Sequence, residues 1–282
     1  MRSRRLRDTV GPVPERFPGG PVLRMLLQGG VMAAFLAAGW ARPRVTGVPL
    51  VNRDLVFNLL NGAALFLLVT PAVKWVDAHL QLGLVGMDWL SSGVGQFLVA
   101  FVLLDLARYW LHRAGHRIPF LWQFHRVHHS AEYIDATTGL RMHVVDFLQL
   151  AALPIVLFGV LLDTSGFEPW VIPAALLVGV FFDGWQHANL RIDTSRPLFK
   201  AWNLLLNNPH FHSWHHTRDG HIHDGNYSNT LIIWDRLFGS DVTQVEPPDL
   251  YGIGGDQALR NDPLSWQLLR RRDPAVDAAA SG

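Results

Sequence analysis

Residues 105–129 decide how this chain is built, and they read DLARYWLHRAGHRIPFLWQFHRVHH. The stretch begins as the end of an apolar run and continues into two histidine clusters. His112 and His116 form the first cluster, and the second contains His125, His128 and His129. Side chains three or four positions apart lie on one face of a helix. Each cluster is therefore expected to aim its imidazoles at one point, beside the end of a hydrophobic helix.

A third cluster repeats the H-x-x-H-H spacing much later, at His212, His215 and His216. Histidine is 14 of 282 residues, so about 0.03 such patterns are expected by chance in a chain of this length. Imidazole is the commonest protein ligand for borderline transition metals. The three clusters supply more nitrogens than the three or four ligands of a single zinc ion. They therefore favour two metal ions.

The sequence around these clusters has the composition of a membrane protein. Hydrophobic residues make up 49% of the chain and charged residues 17%, whereas soluble domains are about a quarter charged. Five apolar runs approach the ~20 residues that cross a bilayer; they are 25–41, 55–73, 94–111, 147–162 and 170–182. We expect an all-α fold with about four to five membrane spans or hairpin segments, which carry a cytosolic, histidine-rich helical lobe.

The chain divides into a polar, arginine-rich leader over 1–24, one membrane domain over 25–261 and a polar tail over 262–282 that we expect to be disordered. The histidine-bearing core of the domain is 105–239. The chain has no cysteine, which excludes disulfides, iron–sulfur clusters and thiolate metal sites. A net charge of +1 argues against a nucleic-acid partner.

The order of spans and clusters predicts that all three clusters lie on one side of the membrane. The segment between the first two clusters is too short to cross, and two spans separate the second cluster from the third. An acidic turn with Asp163 and Glu168 joins those two spans, whereas Arg113, Arg117 and Arg141 accompany the clusters. By the positive-inside rule, the clusters face the cytoplasm, in what we expect to be a bacterial inner membrane. The arginine-rich leader fits this orientation less well, so the side of the N-terminus stays open.

Six segments between residues 105 and 239 read DLARYWLHR, PFLWQFHRVHHS, DATTGLRMH, QHAN, NPHFHSWHH and IWDRLFG. Taken together, they resemble the fatty acid hydroxylase/sterol desaturase superfamily of membrane di-iron oxygenases. Similar bacterial sequences often read Arg-x-His-Pro-x-Glu where this chain has residues 141–146, RMHVVD. The resemblance implies two iron ions, O2 as co-substrate and hydroxylation or desaturation of a lipid. It also implies that His187 is a further ligand. No dinucleotide motif or haem domain is fused here, so electrons are expected from an external ferredoxin-, cytochrome- or reductase-type donor.

The resulting ligand prediction contains nine histidines, and no catalytic residue separate from them. They are His112, His116, His125, His128, His129, His187, His212, His215 and His216. Ligand imidazoles usually donate their second nitrogen to a fixed partner. The candidates for that role, or for further ligation, are His143, Asp105, Asp183, Asn189 and Asp235.

Two other functions are compatible with a histidine-rich membrane protein. One is a zinc-dependent membrane hydrolase, and the other is a metal-binding or transport protein without catalysis. A transporter would place ligands along a path across the bilayer, and a hydrolase needs a carboxylate base beside its metal-bound water. The sequence leaves open the lipid, the choice between hydroxylation and desaturation, and the oligomeric state.

Overall fold

A computed structural model describes residues 20–218, 224–244 and 246–253, with side chains from residue 26 onward. The arginines of the leader and the polar tail lie outside these residues. Over the described part, the fold is helical, as predicted, with one very short pair of strands. Five longer helical segments form a bundle, and the shorter helices gather at one end of it.

Each of the five predicted apolar runs corresponds to one long helical segment, within a few residues at its ends. The helices are α1 (Gly20–Ala41), α2 (Arg53–His79), α3 (Gly93–Arg117), α5 (Val144–Ile155) and α6 (Val171–His187). Helix α5 continues as a π-helix over Val156–Leu161, directly after Pro154. Within the described ranges, three segments are long and apolar enough to cross a membrane, namely α2, α3 and Val144–Leu161. Leu26–Ala41 and Val171–His187 are shorter apolar helices.

Helix α3 lies at the centre of the bundle, where it packs against α4, α5 and α6. Its small and branched residues Ala100 and Leu104 contact Phe158, Val171 and Ala175 in a buried apolar cluster. This cluster fixes the position of α3 relative to its neighbours. It therefore also fixes the position of the first two histidines, which lie in the last turns of α3.

The short helices lie at the end of the bundle where α3 and α6 finish, which we call the histidine end. They are α4 (Pro119–His129), a 3-10 turn (Thr138–Leu140), α7 (Pro197–Trp202), α8 (Pro209–His215) and α9 (Ile233–Leu237). Proline occupies the first turn of α4, α7 and α8, where its missing N–H costs no helical hydrogen bond. Asn208 caps α8, because its side-chain oxygen accepts from the backbone N–H of His210 and Phe211.

The opposite end, which we call the far end, holds the connections α2–α3 and α5–α6 together. Strand β1 (Val85–Gly86) pairs in parallel with β2 (Leu162–Asp163). Gln96 in the first turn of α3 donates to the carbonyl of Gly166 and accepts from the N–H of Glu168. The predicted acidic turn therefore lies opposite the histidine clusters, and the chain crosses the bundle twice between the second and third clusters.

Asp54, in the first turn of α2, binds the loop that follows α4 through hydrogen bonds and an ion pair. The guanidinium of Arg141 donates to the Asp54 carboxylate at 3.0 Å and to the Val127 carbonyl at 3.2 Å. The second oxygen of Asp54 accepts from the backbone N–H of Glu132 and Tyr133. A buried ion pair thus attaches the loop after the second histidine cluster to a bundle helix.

Candidate metal centre

The structure brings together all nine histidines that the sequence predicted as ligands. They form two groups, in each of which one nitrogen per ring lies within 4.8 Å of the others. The five-histidine group contains His112, His116, His125, His129 and His215. The four-histidine group contains His128, His187, His212 and His216. That these residues bind metal stays a prediction.

The expectation that each cluster aims at one point was wrong for the second and third clusters, because both divide between the groups. The reason is the 3.6-residue helical repeat, since residues i and i+4 are offset by about 40° and residues i and i+3 by about 60° the other way. The i, i+4 pairs His112/His116, His125/His129 and His212/His216 each stay in one group. His128 and His215, each at i+3, point to the other group.

The Nε2 atoms approach one another as the ligands of a single ion would. In the four-histidine group, His187 Nε2 lies 3.3 Å from His128 Nε2 and 3.0 Å from His212 Nε2. In the other group, the Nε2 atoms of His116 and His129 are 3.1 Å apart. Two nitrogens bound about 2.1 Å from one ion at angles of 90–110° would be about 3.0–3.4 Å apart. The donor set therefore fits a metal ion in each group.

Buried Nε2 atoms give a second test of that fit. The Nε2 atoms of His112, His125 and His215 are buried and have no hydrogen-bond partner within the part of the chain that the structure describes. Buried polar atoms are normally satisfied, and leaving one unpaired costs about 1–3 kcal/mol. A metal ion bound by these nitrogens would remove that cost.

In four of the five rings of the five-histidine group, the second nitrogen faces a carbonyl or a carboxylate. His112 Nδ1–H donates to the Tyr227 carbonyl at 2.7 Å, and His215 Nδ1–H donates to the Gly225 carbonyl at 2.8 Å. His125 Nδ1 lies 3.5 Å from the Asp146 carboxylate, and His116 Nδ1 lies 3.8 Å from the Asp224 carboxylate. The two carbonyl hydrogen bonds fix the orientation of the His112 and His215 rings and raise the basicity of the nitrogen that would face the metal. The carboxylates lie farther away and act on their rings through charge.

The four-histidine group is supported differently. His128 Nδ1–H donates to the Arg141 carbonyl at 3.3 Å, and His187 Nδ1–H donates to the Asp183 carbonyl at 2.7 Å. The Nδ1 atoms of His212 and His216 are buried without a hydrogen-bond partner among the described residues. The two candidate metal sites are therefore chemically unequal.

The electrostatic environment favours neutral imidazoles. Burial, reinforced by neighbouring histidines, lowers the pKa well below the usual value for the rings outside the long helices, which are His128, His129, His212, His215 and His216. Neutral imidazole is the form that binds a metal ion. Burial also raises the pKa of Tyr227, whose ring packs against His116, to about 12. Its phenol therefore stays protonated.

Comparison with known proteins adds independent information on this site. The family model described as fatty acid hydroxylase matches residues 97–240, which include all nine histidines. The chain belongs to the fatty acid hydroxylase family. The resemblance predicted from the sequence is thereby confirmed, and the apolar helices of this family member make it an integral membrane protein.

Curated relatives of this fatty acid hydroxylase family member include lipid monooxygenases and hydroxylases. The chain is 34% identical over 168 residues to alkylglycerol monooxygenase of Danio rerio, covering 55% of this chain and 32% of the relative. It is 33% identical over 156 residues to the Homo sapiens protein of that name, with coverages of 55% and 32%. It is 29% identical over 167 residues to an ornithine lipid hydroxylase of Rhizobium tropici, with coverages of 58% and 47%. The matches thus span a third to a half of the relatives' length. No solved structure matches the chain.

The five further candidates contribute no ligand to either group in this family member. His143 caps α5, because its Nδ1 accepts from the backbone N–H of Val145. Asn189 joins the α1–α2 connection to Tyr133, since its amide donates to the Val45 carbonyl and to the Tyr133 hydroxyl.

The three acidic candidates have separate roles. Asp105 accepts from the N–H of Thr230 and Leu231, and so attaches the segment before α9 to α3. The Asp183 carboxylate lies 3.7 Å from His187 Nδ1, beside the carbonyl that the ring already uses. Asp235 accepts hydrogen bonds from the backbone N–H of Tyr227 and Ser228, next to the Tyr227 carbonyl that binds the His112 ring.

Two kinds of ring partner were missed by the sequence reasoning. Asp224 lies beside His116 although no helical spacing connects the two residues. The carbonyls of Gly225 and Tyr227 could not be found at all, because every residue has a carbonyl and only the fold decides which one faces a ring.

Proposed function

We propose that this protein is a membrane-bound di-iron oxygenase that hydroxylates a lipid. The observation that carries the proposal is the convergence of nine buried or partly buried imidazoles into two adjacent groups at one end of a bundle of apolar helices. The names of the relatives, which are lipid hydroxylases and monooxygenases, favour hydroxylation over desaturation.

The five-histidine and four-histidine groups would each hold one iron ion. When bound, the irons would supply the activation of O2. In the overall reaction, one oxygen atom enters a C–H bond of the lipid and the other leaves as water. Two electrons and two protons are consumed, and an external ferredoxin-, cytochrome- or reductase-type protein would supply the electrons.

The protein's own contribution is to bind, to orient and to exclude water. Deep burial keeps the imidazoles neutral and limits the access of bulk water, and the hydrogen bonds at Nδ1 set the ring orientations. The alkyl chain of the lipid would lie among the apolar helices, which leave many large hydrophobic side chains exposed. A lipid with a long alkyl chain is therefore the substrate class that we propose.

The two alternative functions have weaker support. A transporter would have ligands along the bundle, whereas the nine histidines gather at the histidine end. A zinc hydrolase would need a carboxylate on the Nε2 side, and Asp146 and Asp224 lie on the Nδ1 side instead. No carboxylate in the described ranges belongs to either group.

Metal analysis and two histidine variants test this proposal. Purified protein should contain two irons per chain, and membranes supplied with an electron donor should incorporate one atom of 18O2 into a lipid. His128→Ala and His215→Ala each remove one ligand, from different groups, and each should lower product formation at least ~100-fold. The matched control is His79→Ala, because His79 lies at the far end, stacked on Trp75.

The result that would contradict the proposal is one tightly bound zinc per chain with lipid hydrolysis that needs no O2. Full hydroxylation by either ligand variant would also contradict it. A product two mass units lighter than its substrate, without 18O, would show desaturation instead.

A further inference from the structure

Residues 225–228 form a segment that faces only one of the two candidate metal sites. Two of its carbonyls, at Gly225 and Tyr227, accept the Nδ1–H of His215 and His112. Both rings belong to the five-histidine group. We call residues 225–228 the acceptor segment. Among the hydrogen bonds of the described residues, none joins this segment to a ring of the four-histidine group.

The buried carboxylate of Asp235 holds this segment from the side opposite the rings. One carboxylate oxygen accepts from the N–H of Tyr227 at 2.9 Å and from the hydroxyl of Ser240 at 2.7 Å. The other accepts from the N–H of Ser228 at 2.9 Å. Asp235 is fully buried, so no solvent competes for these bonds. The Ser228 N–H that donates to Asp235 and the Tyr227 carbonyl that orients His112 thus belong to the same peptide unit.

A second set of contacts keeps the segment close even when Asp235 is altered. Asn226 has a positive φ of 56°, and its backbone N–H donates to the Ser240 carbonyl. Its side chain donates to the Phe211 carbonyl and accepts from the N–H of Val242. Loss of the Asp235 carboxylate should therefore shift the two carbonyls without releasing the chain.

We infer that Asp235 is a positioning residue that sets the metal affinity of the five-histidine group alone, by aligning the acceptor segment with His112 and His215. This inference rests on the proposed di-metal function. The four-histidine group uses the carbonyls of Arg141 and Asp183 instead, so its affinity should not depend on Asp235.

Asp235→Asn is the sharpest test, because it keeps the shape of the side chain and changes one acceptor into a donor. The new NH2 group would face a backbone N–H of Tyr227 or Ser228, and two donors repel. The acceptor segment should move, and the hydrogen bonds to His112 and His215 should lengthen. Loss of such ring partners typically weakens metal binding by 10–100-fold.

Asp105→Asn provides a matched control. Asp105 is also a buried carboxylate, and it also accepts from two consecutive backbone N–H groups, those of Thr230 and Leu231. It binds the chain just beyond the acceptor segment and reaches neither carbonyl. A general loss of folding should affect both variants, whereas an effect through the rings should appear only in Asp235→Asn.

The experiment measures Fe²⁺ binding to the metal-depleted full-length protein in detergent, under anaerobic conditions, by equilibrium dialysis and iron analysis. The unmodified chain and Asp105→Asn should bind two ions with the same pair of affinities. Asp235→Asn should keep one affinity and lose about 10–100-fold in the other. Adding His212→Ala to Asp235→Asn should remove the remaining tight site, whereas adding His129→Ala should leave it.

Equal weakening of both sites in Asp235→Asn would overturn the inference, and so would unchanged binding or the same selective loss in Asp105→Asn. An unmodified chain that binds no iron would instead overturn the proposed di-metal function, so the two failures are distinguishable.

Discussion

Gly225 shows how closely the backbone is packed beside the five-histidine group. A Cβ atom at this position would lie 2.6 Å from the Ser240 carbonyl oxygen and 2.7 Å from the Val242 side chain. The Ser240 oxygen belongs to the backbone and cannot rotate away. The carbonyl that orients His215 thus comes from a position that only glycine can occupy without a shift of the chain.

Gly225→Ala should therefore destabilise the protein by about 1–3 kcal/mol, the usual cost of overpacking a buried site. Thermal unfolding in detergent measures the change. Gly166→Ala is the matched control, since nothing lies within 4 Å of a Cβ built there, and its unfolding temperature should stay at the unmodified value. Equal stability of the two variants would contradict the packing seen at Gly225.

The histidine spacing was sufficient to predict that the eight rings of the three clusters come together, and insufficient to predict how they divide. The ninth ring, His187, was expected only from the resemblance to the family. His125, His128 and His129 lie near one face of α4, so their shared location followed from the sequence. The division into groups depends on where the other imidazoles lie relative to the axis of α4. Those positions are set in part by α8 and α6, which meet α4 only in the folded chain.

The ion pair between Arg141 and Asp54 joins the loop after α4 to α2. Because the pair is largely buried, we expect it to contribute to the free energy of unfolding. The Arg141 side chain is 4% exposed and the Asp54 side chain 18% exposed. A surface pair contributes about 0–1 kcal/mol, whereas removing one partner of a buried pair costs about 3–5 kcal/mol. The carbonyl of Arg141 also orients His128, so the pair supports the four-histidine group.

Arg141→Met should lower the free energy of unfolding by about 3 kcal/mol, because it leaves the Asp54 carboxylate largely buried without its partner. Chemical or thermal unfolding in detergent measures this. Arg196→Met removes the exposed pair with Asp193, whose side chains are 76% and 53% exposed, and should change stability by less than ~1 kcal/mol. The prediction fails if the two variants lose the same stability.

The long helices were predictable and the short ones were not. An apolar run of membrane length has few alternatives to a helix. By contrast, α7 and α9 are too short for a periodic pattern, and their positions depend on tertiary contacts such as the bond from Trp234 to Asp105. The π-helix after Pro154 also had no signal beyond the proline, which removes one backbone donor and crowds the preceding turn.

The distribution of charge over the connections that the structure describes favours one orientation in the membrane. The far end carries the acidic residues Asp163 and Glu168. The connection from α1 to α2, at the histidine end, contains Arg42 and Arg44 and leads into Arg53, the first residue of α2. We propose that the histidine end faces the cytoplasm of a bacterial inner membrane, in accord with the positive-inside rule.

The absence of cysteine makes this orientation directly measurable. Ser165→Cys, exposed at the far end, should react in intact cells with a maleimide that cannot cross the inner membrane. Ser195→Cys, exposed at the histidine end, should react only after the inner membrane is opened. The reverse labelling pattern would show the opposite orientation.

The two groups take their histidines from different parts of the sequence. This difference bears on the order in which the proposed di-metal enzyme would be assembled during translation. Four of the five imidazoles of the five-histidine group lie before α5, so they leave the ribosome early. Three of the four imidazoles of the other group follow α5, and two of them are in the α8 region. Four ligands of the five-histidine group could thus bind an ion while synthesis continues. The four-histidine group would be complete only after α5 and α6 have inserted into the membrane and α8 has been synthesised. The two metals would then bind in a fixed order, with the ion of the five-histidine group first.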